Sequence, residues 1–95
     1  MRSLDEIRQE LDQVDRDLVG LFEHRMALAR EVARWKQAHR LPVLDASREA
    51  QVLESRRAML HDPHLDSACD ELFRCLMSLS REEQASCLKE MTFDA

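Results

Sequence analysis

Eight polar residues stand where helical spacing sets them on or beside apolar stripes: Arg8, Arg25, Lys36, Asp45, Arg48, Glu49, Ser80 and Gln84. The set holds four cations, two acids and two neutral hydrogen-bonding groups. It offers no obvious nucleophile, because no cysteine or serine has a histidine at a recognisable spacing, and it contains no histidine to act as a base near neutral pH. Gly20 is the only glycine, so no glycine-rich loop can cradle a phosphate, and neither a nucleotide nor any other cofactor is expected. What such a set can do is cage a small polyanion. Cations would hold carboxylates, an acid would accept from a hydroxyl, and a lysine with a glutamine could stabilise charge developing on an oxygen.

The elements that must position these groups are helices. Leu4, Ile7, Leu11, Val14, Leu18, Leu21, Leu28, Val32 and Trp35 recur in steps of three and four with a single gap, and Arg25 fills the gap. An arginine within an apolar stripe costs several kcal/mol unless an anion or many acceptors meet it. Arg8 and Lys36 flank the same stripe near its two ends. Ser3 with Glu6 is a capping-box pattern, so the first helix is expected to start there and to run to about His39. Arg40 to Asp45 reads as a loop, because Pro42 disfavours helix in the residue before it. Asp45 is the expected N-cap of a second helix, from Ala46 to about His61, with Ala50, Val52, Leu53, Met59 and Leu60 as its apolar content. Asp62-Pro63-His64 breaks the chain again. The third helix is expected from Asp66 or Ser67 to about Lys89, with Cys69, Leu72, Phe73, Leu76, Met77 and Leu79 facing inward and Ser80 and Gln84 continuing that face.

Ninety-five residues with one glycine, two prolines and 44% hydrophobic residues suit a single all-α domain, 1–95, of three helices, without repeats or linkers. So short a chain cannot cover a first helix of more than thirty residues, which makes a helical dimer the expected assembly. The formal charge of −5 disfavours nucleic acid or an anionic membrane surface as a partner. There is no apolar run of membrane-spanning length and no signal-peptide core at Met1, so a cytoplasmic location is expected. Cys69, Cys75 and Cys87 show no paired spacing and read as reduced packing residues, while His24, His39, His61 and His64 offer no metal-ligand pattern.

The chain closely resembles the all-α class of chorismate mutases over essentially its full length. The resemblance is carried by Leu4-x-x-Ile7-Arg8-x-x-Leu11-Asp12-x-x-Asp15, by Arg25 with Lys36, by Leu41-Pro42-Val43-x-Asp45-x-x-Arg48-Glu49 and by Ser80-x-x-x-Gln84, in that order. It implies an intertwined all-helical homodimer with two sites, and the Claisen rearrangement of chorismate to prephenate on the way to phenylalanine and tyrosine. By matching positions, Arg8 and Arg25 would bind the substrate's two carboxylates with support from Ser80 and Arg48. Lys36 and Gln84 would donate to the ether oxygen, and Glu49 with the backbone around Asp45 would hold the ring hydroxyl. Isochorismate pyruvate lyases and 4-amino-4-deoxychorismate mutases resemble the same scaffold, but the complete Asp45-x-x-Arg48-Glu49 loop favours chorismate. A purely structural coiled coil would explain the heptads and leave Arg25, Ser80 and Gln84 without a purpose. A regulatory module binding an aromatic amino acid would need a catalytic partner domain.

Helix length adds a constraint. Arg25 and Lys36 are eleven residues apart and share a face, whereas Arg8 lies twenty-eight residues from Lys36, roughly 42 Å along a straight helix. A catalytic Arg8 must therefore serve the other protomer.

Overall fold

The computed structural model describes residues 1–93, with side chains described for residues 1–91. Three α-helices, α1 (Leu4–Ala38), α2 (Ala46–Ala58) and α3 (Asp66–Phe93), are joined by a loop and by a single 3₁₀ turn, Pro63–Leu65, with no strand among the described residues.

Local chemistry sets the boundaries. Ser3 caps α1 reciprocally: its hydroxyl accepts from the Glu6 N–H at 3.2 Å, and the Glu6 carboxylate accepts from the Ser3 N–H at 3.5 Å. The C-terminus closes by a paired-bond cap. Leu41 N–H donates to the Lys36 carbonyl at 2.8 Å and Arg40 N–H to the Gln37 carbonyl at 3.1 Å, which forces Arg40 to a left-handed φ of 56°. Asp45 caps α2 by accepting from the Arg48 N–H at 3.0 Å.

Both distal ends differ from the sequence expectation. α2 stops at Ala58 rather than His61, because Met59 and Leu60 bond back three residues, to Arg56 and Arg57, and tighten the last turn. α3 runs past Lys89 to Phe93, since no glycine or proline follows to break it.

α3 packs against α1 and against α2, whereas α1 and α2 do not pack on each other. The buried apolar residues are Met26, Ala29 and Ala33 of α1, Val52 of α2, and Met77 and Cys87 of α3. Small residues dominate the α1 contribution because they let α3 approach closely, and the Cys87 thiol lies 4.0 Å from the Arg30 carbonyl oxygen. Cys69 and Cys75 are also free thiols. Leu72 and Leu79, expected inside, are exposed, while Cys69, Phe73 and Leu76 are half-buried. The expected apolar seam of α1 is likewise exposed within one protomer, with Leu11 at 54%, Leu18 at 55% and Leu21 at 64% exposure. α3 alone packs on α1, and it covers only the C-terminal part of that 35-residue rod. The result is an elongated body of 59 × 28 × 14 Å.

No helix among the described residues is long and apolar enough to cross a membrane.

Candidate active site

Because α3 spaces α1 away from α2, a cavity of about 370 Å³ opens between those two helices with α3 as its floor. Each helix contributes one face. Arg25, Ala29, Val32 and Lys36 follow four-three-four spacing on α1, and Met77, Ser80, Arg81 and Gln84 occupy one stripe of α3. α2 supplies Arg48, Glu49, Val52 and Arg56, preceded by Asp45 and Val43 of the loop.

Seven of the eight sequence candidates thus line one cavity: Arg25, Lys36, Asp45, Arg48, Glu49, Ser80 and Gln84. Arg8 does not. It is exposed on α1, seventeen residues before Arg25, roughly 25 Å away along the helix axis.

The cavity is strongly cationic within an acidic chain. Five cations, Arg25, Lys36, Arg48, Arg56 and Arg81, face two acids, Asp45 and Glu49, although the whole chain carries −5. Both acids are occupied: Asp45 caps its own helix, and Glu49 is paired with Arg81. Burial, and then the positive charges of Arg56 and Arg48, lower the Arg25 pKa from its ordinary value. Like charges clustered in this way suit the binding of an anion.

Lys36 and Gln84 meet the cavity with hydrogen-bonding capacity to spare. Lys36 Nζ donates to the Val43 carbonyl at 2.7 Å, which anchors the ammonium at the loop and leaves further N–H donors. Gln84 is only 6% exposed, its Nε2 donates to Ser80 Oγ at 3.2 Å, and its Oε1 is buried with no partner among the described residues. A half-turn of the amide would let the Ser80 hydroxyl donate to Oε1 and would present both N–H groups as free donors. An amide so placed in a cavity wall can hydrogen-bond a ligand.

Arg56 and Arg81 are absent from the sequence-derived set. Their signal was present in the spacing, since Arg56 follows Arg48 by two four-residue steps through buried Val52, and Arg81 falls one such step after buried Met77. Read alone, each looks like an ordinary solvated arginine.

Residues 7–85 match the family described as chorismate mutase type II. The chain belongs to that family. Among relatives, the protein named chorismate mutase from Methanocaldococcus jannaschii is 26% identical over 91 residues, covering 95% of this chain and 92% of that protein. The T-protein of Haemophilus influenzae is 39% identical over 57 residues, which is 60% of this chain but only 15% of the T-protein. No solved structure matches the chain at a comparable level of significance. The match to the mutase family takes in every residue of the candidate site, including Arg8.

Proposed function

We propose that the chain rearranges chorismate to prephenate, as a homodimer whose two sites each combine one protomer's cavity with Arg8 of the other copy. The observation that carries this reading is the convergence of Arg25, Arg48, Lys36 and Gln84 on one compact cavity whose acids are already engaged. A Claisen rearrangement breaks one carbon–oxygen bond as it makes one carbon–carbon bond within a single molecule. It calls for no nucleophile and no proton transfer. What a protein can supply is a folded, reactive substrate conformer and donors for the ether oxygen as negative charge grows there.

The proposed roles are those of the family's matching positions. Arg25, supported by Arg48 and Ser80, holds one carboxylate, and Arg8 of the second copy holds the other. Lys36, steadied by the Val43 carbonyl, and Gln84, oriented by Ser80, donate to the ether oxygen. Glu49 and the loop backbone at Asp45 take the ring hydroxyl. The reading includes a place in phenylalanine and tyrosine biosynthesis in the cytoplasm, and a single domain that needs no cofactor.

The dimer is supported by surface area. A compact monomer of 11.1 kDa should expose roughly 5,700 Å², yet this protomer exposes 7760 Å². The excess matches what an obligate dimer buries per subunit, and the exposed stripe from Leu4 to Leu21 is where Arg8 sits.

The direct test is to incubate purified protein with chorismate, with and without chelator, and to follow chorismate loss and prephenate formation. Equal turnover in both is expected. Salicylate and pyruvate from isochorismate, with no prephenate from chorismate, would move the chain to the lyase relatives.

A further inference from the structure

Three arginines in the cavity wall have no carboxylate partner. The ion pairs among the described residues engage Arg2, Arg30, Arg57, Arg74 and Arg81, and none engages Arg25, Arg48 or Arg56. Among the described residues the Arg48 side chain donates only to the neutral Gln51 side chain, at 2.9 Å, and the Arg56 side chain only to the Ser55 hydroxyl, at 2.8 Å. Arg25 makes no side-chain hydrogen bond at all among the described residues. Arg25 and Arg56 are half-buried, and Arg48 and Arg56 flank buried Val52 on one face of α2. The acid that could neutralise them, Glu49, is held by Arg81.

We propose that Arg56 is a further substrate-binding residue, closing with Arg25 and Arg48 on one carboxylate of the bound dianion. The proposal rests on the chorismate reading for the identity of that dianion, but not for the existence of the anion site. Three like charges around one cavity are mutually unfavourable, and a carboxylate that accepts from guanidinium forks on α1 and α2 removes the conflict. Arg48 and Arg56 lie one helical turn to either side of Val52 and both line the cavity, so they bracket it from the two ends of that face. The Arg25 pKa, lowered first by burial and then more by the charge of Arg56 than by that of Arg48, agrees with this proximity.

An arginine kept for binding and one kept for folding leave opposite signatures. Arg56→Met retains an unbranched apolar stem over Val52 and deletes the charge. The KM for chorismate should rise about tenfold to a hundredfold, as for loss of a charge-assisted hydrogen bond, and kcat should fall far less. The melting temperature of the free protein should stay level or rise, because repulsion with Arg25 and Arg48 is relieved. Arg56→Lys should recover part of the affinity, since it restores charge without the fork.

A second arm uses malonate, an unreactive dicarboxylate, as the probe. It should raise the melting temperature of the unsubstituted protein, and that rise should shrink at least severalfold in Arg56→Met. If chorismate is not turned over but malonate protection depends on Arg56, the anion site stands and the substrate assignment falls. A lowered melting temperature in Arg56→Met, or KM and malonate protection both unchanged, would overturn the role given to Arg56.

Discussion

Arg81 of α3 is ion-paired with Glu49 of α2 across the cavity, and the pair ties the acid assigned to the ring hydroxyl to the helix that carries Gln84. In the proposed site Arg81 would therefore act through Glu49, as a positioning residue. Arg81→Met should raise the KM for chorismate about tenfold, in line with the loss of a half-buried charge-assisted bond. In a Glu49→Gln background the same change should do little. Michaelis parameters for the four proteins of the double-mutant cycle check this, and strictly additive effects would sever Arg81 from Glu49.

Lys36 is steadied by the Val43 carbonyl at 2.7 Å, so it is placed before substrate arrives. Removing one donor to a developing oxyanion costs about 10²–10³ in turnover, so Lys36→Ala should lower kcat by at least that order. A variant with an unchanged kcat and only a higher KM would show that Lys36 merely binds.

Gln84 donates whatever the pH, because an amide does not titrate in the working range. Gln84→Glu should confine activity to acid, since only a protonated carboxyl can donate to the ether oxygen. The sign is set by that proton: activity is kept below the new carboxyl's pKa and lost as pH rises through it. A pH–rate profile that stays flat from acid to neutral would exclude the donor role.

Arg40 holds a left-handed φ of 56° so that Leu41 can bond back to Lys36 and turn the chain into the loop that carries Val43 and Asp45. A side chain in that conformation costs about 1 kcal/mol relative to glycine. Arg40→Gly should therefore stabilise the protein by about 0.5–1 kcal/mol in denaturant titrations while preserving the cap. An equal or lower midpoint would mean that the Arg40 side chain itself supports the turn.

The helix starts were legible at Ser3 and Asp45 because capping is a property of a few adjacent residues. Helix ends were less so: Met59 and Leu60 continue an apolar pattern that the closing turn interrupts. The long seam of α1 was legible as apolar, but not as exposed within one protomer. Only the packing of α3 on Met26, Ala29 and Ala33 reveals which face the chain can cover by itself. In the site, Arg25 stood out because it breaks an apolar stripe. Arg56 and Arg81 did not, because a charged residue beside other charged residues carries no such contrast until the fold turns it toward a cavity.

Arg8 and Lys36 cannot meet within one chain, since they lie twenty-eight residues apart on one helix, roughly 42 Å by its rise. The claim that a chorismate-rearranging site is assembled from two copies is tested most directly by mixing two inactive variants, Arg8→Ala and Lys36→Ala. After unfolding and refolding an equimolar mixture, random pairing makes about half of the dimers mixed. In each mixed dimer one site regains an intact Arg8 and an intact Lys36, while the other site lacks both. Prephenate formation should return to roughly a quarter of the unsubstituted rate. No recovery, with mixed dimers confirmed by mass, would contradict the shared site and the role given to Arg8.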